Sequence, residues 1–190
     1  MDNLSALPSL PSTVSRHGLA TKKSLGQHFL LDEGVTGRVA RYAGDLKEYN
    51  VIEIGPGPGG LTRSLLRAGA KKLYVVEKDD RCIAVMQELQ IACPGRLEII
   101  HEDALEVDLL ERVPAPRKIV ANLPYNSGTQ MLLNWLDQVY LASRTTTHDP
   151  RSTSFASLTL MFQKEVAERI TATHGNKDYG RLSVISQWLC

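Results

Sequence analysis

The sequence predicts an α/β domain built on a mostly parallel sheet with helices on both faces. Three observations predict it. Five short apolar runs of β type alternate with segments of helical periodicity; the runs are nearly continuous, as in strands covered on both faces; and the first ends in a glycine-rich loop that opens a helix.

The first stretch, MDNLSALPSLPSTVSRHGLA, has neither the basic start nor the continuous apolar core of a secretory signal, and Asp2 with few Arg residues fits an organellar targeting peptide poorly. Residues 1–21 are read as a mobile tail and 22–190 as the domain. In DEGVTGRVARYAG (32–44), Asp32 suits a helix cap, and Val35, Val39 and Tyr42 fall at helical spacing as the apolar face. VIEI (51–54) is the first strand and LTRSLLRAG (61–69) the helix after its glycines. LYVVE (73–77), LEII (97–100), KIVA (118–121) and SLTLMF (157–162) supply the remaining strands. Helices follow at 79–90, at 128–140 and in KEVAERITA, while the polar stretch 141–154, with Asp149-Pro150, reads as a mobile loop. RLSVISQWLC reads as a helix whose apolar face is cut short, which predicts a fragment.

Bulk properties narrow the function. The 190 residues are 43% hydrophobic and 23% charged, and no apolar stretch approaches the ~20 residues that a membrane helix needs. A net charge of +1 gives no whole-chain pull toward nucleic acid and argues against a self-sufficient RNA binder. The basic residues at Lys22 and Lys23, at 63–72 and at 164–181, and the acidic run at 98–112, read for the most part as solvated helix faces. Three cysteines without CxxC spacing predict neither a disulfide framework nor a zinc site, and a reducing, cytoplasmic setting; no metal is expected.

In parallel sheets ligands bind at the carboxyl ends of the strands. EIGPGPGGLT (53–62) places Gly55, Gly57 and Gly59 there, where the lack of a Cβ allows a sharp turn and close approach to a nucleotide-like ligand. Gly55, Gly57 and Gly60 also satisfy the dinucleotide fingerprint, so the loop alone leaves a nicotinamide-dependent oxidoreductase open. Glu77 ends the second strand, where a carboxylate can accept from both ribose hydroxyls; Asp103 could accept from an adenine amine, or simply belong to the acidic surface run. NLPY (122–125) closes the fourth strand. An adenine exocyclic amine is a poor nucleophile because its lone pair is delocalised. The Asn122 side-chain oxygen and the Leu123 carbonyl, each accepting one N–H bond, would favour a tetrahedral nitrogen whose lone pair meets an electrophile. Pro124 would fix the turn, and Tyr125 would offer a face for a flipped-out base, a stack worth about 1–3 kcal/mol. Catalysis would then be in-line displacement driven by positioning, without a strong general base. The plain alternative for NLPY is a common β-turn.

KKSLGQHFLLD, EIGPGPGGLT, VVEKD, EDAL, NLPYN, LMFQKEVAERI and YGRLSV follow one another in an order that resembles the small-subunit ribosomal RNA adenine dimethyltransferases, the KsgA/RsmA family, over roughly residues 22–190. The resemblance implies a Rossmann-like, S-adenosylmethionine-dependent methyltransferase fold, truncated before the last strands, an aromatic pocket wall and a C-terminal helical domain. It implies that His28 and Leu30 contact the methionine part of the cofactor, Gly55, Gly57 and Gly59 line it, Glu77 takes its ribose, Asp103 its adenine, and Asn122 the boundary with substrate. The implied reaction dimethylates two adjacent adenosines in a hairpin loop near the 3′ end of small-subunit ribosomal RNA, as part of ribosome biogenesis, and releases S-adenosylhomocysteine. The target base would be extruded into the pocket, and the protein would act as a monomer on the immature small subunit. The polar insertion 141–154 is longer than the family pattern. A noncatalytic cofactor-binding assembly or nucleic-acid factor is the competing reading.

Overall fold

The computed structural model describes residues 3–19, 29–145 and 154–190. Strands β1 (Asn50–Ile54), β2 (Lys72–Glu77), β3 (Leu97–His101), β4 (Arg117–Asn122) and β5 (Ser157–Met161) form one sheet in the order β3-β2-β1-β4-β5. Every neighbouring pair is parallel, with Ile54 beside Val76 and Asn122 beside Met161. Parallel strands need crossovers, and the intervening segments supply them as α3 (Gly60–Arg67), α4 (Asp80–Ala92), α5 (Leu109–Arg112) and α6 (Gly128–Thr145). Two further helices, α1 (Leu10–Arg16) and α2 (Glu33–Tyr42), precede β1. Two others, α7 (Lys164–Thr171) and α8 (Arg181–Leu189), follow β5.

Side chains alternate along each strand, and the two faces carry separate cores. Val51, Leu73, Val75, Leu97 and Val120 face the helices α2, α3 and α4. Ile52, Ile54, Tyr74, Val76, Ile119 and Ala121 face α5 and α6, with Leu109, Met131 and Trp135 from those helices. The strand order reverses between β1 and β4, so the crossovers on either side diverge there and leave a crevice at the carboxyl ends.

Several expectations need correction. Residues 3–19, assigned above to a mobile tail, are folded and packed. Ser9 caps α1, Leu10 is 2% exposed, and the Asn3 amide donates to the Ala92 carbonyl at 2.9 Å. Helix α2 is capped by Asp32 as expected, but its buried face is Thr36, Val39 and Ala40, and Tyr42 is 80% exposed. Small residues win there because α2 lies close against α3, where the Ser64 hydroxyl donates to Thr36 Oγ1 at 2.8 Å. Helix α6 runs five residues into the predicted polar loop, and α5, a single turn capped by Asp108, has no counterpart in the sequence reading. No described helix is long and apolar enough to cross a membrane.

Candidate functional site

A cleft opens at the carboxyl ends of β1, β2 and β4, lined by Phe29, Leu30, Glu53, Gly55, Pro56, Gly57, Pro58, Leu61, Glu77, Lys78, Asn122, Leu123 and Pro124. It therefore brings together Leu30, Gly55, Gly57, Glu77, Asn122, Leu123 and Pro124 from the sequence-derived set. His28 lies outside the described residues.

The loop after β1 turns through Gly55 (φ 63°) and Gly57 (φ 54°), in the left-handed region that side chains disfavour. A Cβ on Gly57 would stand 2.9 Å from the Phe29 ring, and one on Gly60 would run into the Leu30 carbonyl. The loop is thus held between the cleft and the Phe29–Leu30 segment, at a distance only glycine allows. Gly59 has a different role from that expected. Its Cβ would meet Leu89 at 2.7 Å and Met86 at 3.1 Å, so it brings α4 close, and it is absent from the cleft lining.

Glu77 is 7% exposed at the end of β2. Its Oε1 accepts from the amides of Lys78 (2.8 Å) and Asp79 (2.9 Å), and Oε2 from Gly57 N–H at 3.4 Å. These amides fix the carboxylate against the glycine loop. Burial pushes its pKa up, and the amides of Asp79, Lys78 and Gly57 partly oppose the shift. Asp103 stands farther out, beyond β3. Its Oδ2 accepts from Lys78 Nζ at 2.7 Å and Oδ1 from the Leu105 amide at 3.0 Å. The lysine contact holds its carboxyl below the ordinary value. Asp103 does not line the cleft, whereas its partner Lys78 does.

At the end of β4, the Leu123 amide donates to the Met161 carbonyl at 3.4 Å. The Pro124 carbonyl accepts from Ser127 (3.3 Å) and Gly128 (2.9 Å), which starts α6. Among the described residues no backbone bond is made to the Leu123 carbonyl. Leu123 is 3% exposed and Tyr125 45%, so the turn buries its apolar side chain and presents its ring to solvent. Tyr125 borders a small hollow with Pro124, Phe162, Gln163 and Val166, adjoining the cleft at Leu123 and Pro124.

A candidate site residue absent from the sequence-derived set is Glu53. It sits on the face of β1 covered by α3, where alternation calls for an apolar side chain, and it is 1% exposed. Its carboxyl is hydrogen-bonded by Thr62, and burial pushes its pKa up to about 8, with the nearby Glu77 adding to the rise. Among the described residues Oε2 has no hydrogen-bond partner, and Glu53 lines the cleft. A buried carboxyl with an open oxygen is costly unless a ligand completes it. The signal was present as a charged residue in the middle of VIEI. No group of three or more His, Cys, Asp or Glu among the described residues could hold a metal ion.

Comparison with known proteins bears on this site. The family described as "Ribosomal RNA adenine dimethylase" matches residues 18–190. A relative from Paramagnetospirillum magneticum is 54% identical over 184 residues, covering 97% of this chain and 61% of its own length. One from Jannaschia sp. is 51% identical over 185 residues, covering 97% and 61%. Both carry the name "Ribosomal RNA small subunit methyltransferase A". The chain spans about three fifths of these relatives, 61% in each case. Among solved structures, a dimethyladenosine transferase from Plasmodium falciparum is similar at 29% identity and a TM-score of 0.68, over 84% of this chain and 52% of that one. The 23S rRNA methyltransferase ErmE is similar at 26% identity and a TM-score of 0.62, over 83% and 56%.

Proposed function

This chain belongs to the ribosomal RNA adenine dimethylase family, and from that premise we propose that it transfers methyl groups from S-adenosylmethionine to the exocyclic amine of adenosines in small-subunit ribosomal RNA. The observation that carries the reading is the meeting, in one cleft, of the glycine loop, two buried carboxyl groups and the NLPY turn. The residues present fit the cofactor. Gly57 provides a cradle that any Cβ would narrow, and the orphan oxygen of Glu53 awaits a donor.

When bound, S-adenosylmethionine supplies an electrophilic methyl group on a sulfonium. Gly55 and Gly57 would let the backbone lie against it, Glu77 would accept from its ribose hydroxyls, and Leu30 with His28 would cover its methionine part. The Glu53 carboxyl, whose pKa burial raises to about 8, would be drawn back toward ionisation by the cationic end and then offer it a counter-charge. Asp103 would reach its adenine amine after sharing or releasing Lys78, which now holds it. On the substrate side, the Asn122 side-chain oxygen and the Leu123 carbonyl would each accept one N–H of the target amine and localise its lone pair. Pro124 stiffens the turn, since its ring fixes φ and its carbonyl already carries two amides. Tyr125 would stack on the extruded base. The finer reading, two adjacent adenosines in the 3′-end hairpin loop each methylated twice, rests on the family resemblance.

The test is transfer of labelled methyl groups to unmethylated small ribosomal subunits, with the product nucleosides identified by mass spectrometry. Label confined to N6 of adenosine, and lost in Asn122→Ala, is the expected result. A chain that binds S-adenosylmethionine yet labels no nucleoside would overturn the catalytic reading and leave the noncatalytic one.

A further inference from the structure

No residue of the N-terminal segment 3–19 lines the cleft, yet the segment grips the helix that the glycine loop opens. Arg63 of α3 is 4% exposed, and among the described residues its guanidinium is held by a carbonyl and a hydroxyl rather than by a carboxylate. Its Nη1 donates to the Pro8 carbonyl at 2.6 Å and its Nη2 to Thr13 Oγ1 at 3.2 Å, both in the segment. A guanidinium is buried with carbonyl and hydroxyl partners only where the partners are held firmly. The segment is fastened at other points as well: Asn3 to Ala92, and Arg16 and His17 to Glu88 of α4. Leu10, 2% exposed, reaches Gly60, the first residue of α3, where a Cβ would lie 3.4 Å from its Cδ1. The Leu30 carbonyl bears on the same glycine. Two passes of the chain thus press on the junction between glycine loop and helix, and Leu61, the next residue, lines the cleft.

We propose that α1 is a positioning brace: through Leu10 on Gly60, and through Thr13 and Pro8 on Arg63, it sets the glycine loop in its cofactor-binding geometry. A loop ordered before binding avoids the ordering cost at the moment of binding, so loss of the brace appears as weaker cofactor affinity. This rests on the proposed function, since the ligand whose affinity is read is S-adenosylmethionine. Leu10, Thr13 and Arg63 do not line the cleft and act through the loop.

The experiment titrates S-adenosylmethionine into the 190-residue chain and into Leu10→Ala, with Leu109→Ala as the matched control. Leu109 is an equally buried leucine, on α5 beneath the other face of the sheet. Both truncations are expected to lower Tm. The brace predicts that Leu10→Ala raises Kd by about fivefold or more, measured below both unfolding transitions, while Leu109→Ala changes it by less than about twofold. Equal changes in Kd at matched loss of Tm overturn the proposal, because they make Leu10 a core residue and nothing more. Should Leu10→Ala not stay folded, Thr13→Val removes the acceptor for Arg63 at nearly constant volume. A rise of about threefold in Kd then supports the brace, and an unchanged Kd overturns it. Failure of the unsubstituted chain to bind S-adenosylmethionine is a separate outcome that overturns the reading of the cleft, and the brace with it.

Discussion

At the amino ends of the strands buried and half-buried cations are matched by backbone carbonyls, whereas at the carboxyl ends a buried carboxyl is left with an open oxygen. Arg96, just before β3, donates to the carbonyls of Leu66 (2.8 Å), in the last turn of α3, and Ala70 (2.9 Å), in the connection to β2. Arg117, the first residue of β4 and 7% exposed, holds the carbonyls of Val113, Leu110 and Ser154. Lys118 donates to Ala43 and Asp45, each at 2.9 Å, just beyond α2. Each cation there ties loops or helix ends together, and the group is complete as it stands. At the other end Glu53 keeps Oε2 unpaired, and no backbone bond to the Leu123 carbonyl is found among the described residues. The contrast teaches that burial of charge is not itself a sign of function. What marks the candidate site is a buried carboxyl whose open oxygen belongs to the cleft, whereas the other buried polar atoms left without a partner among the described residues, such as Ser157 Oγ at the start of β5, belong to residues outside it.

Substitutions at the two ends sharpen this contrast. The largest effect is expected for Asn122→Ala, with methyl transfer reduced by about 10²–10³ while Kd for S-adenosylmethionine moves by only a few fold, because the lost acceptor acts on the substrate amine. Single-turnover assays check it, and transfer within threefold of the parent would break the account of NLPY. At the amino end, Arg117→Met strands the carbonyls of Val113, Leu110 and Ser154 and is expected to cost about 2 kcal/mol in urea unfolding. Its affinity for the cofactor should be unchanged in the folded protein; a parallel loss of affinity would blur the distinction between the two ends.

Glu53 gives a pH test. Its folded pKa of about 8 lies above the ordinary 4.5, so the folded state holds the proton more tightly. Its contribution to stability is complete below pH 4.5 and is lost as pH rises through about 8. The difference in unfolding free energy between the parent and Glu53→Gln should therefore shift against the parent across that interval, on the order of 1 kcal/mol once relaxation admits water to the carboxylate. Denaturation curves from pH 5 to 9 measure it, and a difference independent of pH would show that Glu53 is ionised throughout. The smallest effect is expected for Lys78→Ala. That side chain is 52% exposed and its partner Asp103 30%, so loss of the pair should cost about 0.5 kcal/mol or less.

Most of this architecture was legible in the sequence because strand runs such as LYVVE and KIVA are apolar on both faces, and because the glycines and NLPY punctuate two of them. Their convergence on the reversal point between β1 and β4 follows from the alternation of strands and helices alone. What was not legible depends on tertiary contact. In LPSLPSTVSR, two prolines and seven helical residues give a weak local pattern, and only packing on Arg63 and α4 makes it a helix; Ser9 as cap and Pro11 in the first turn were the available hints. The burial of Thr36 in place of Tyr42 depends on how closely α2 approaches α3. Gly59 and Glu53 both lie in the quoted EIGPGPGGLT, but sequence could not say that the first faces Leu89 or that the second lacks a partner.

The proposed function requires that S-adenosylmethionine complete the open site at the carboxyl end. Calorimetric titration of that cofactor into the 190-residue chain, with Glu77→Ala and Arg117→Met beside it, decides whether it does. Binding at one site per chain, weakened by about tenfold or more in Glu77→Ala and unaltered in folded Arg117→Met, is the predicted result. Absence of binding by the folded parent chain, or equal loss in both variants, would contradict it.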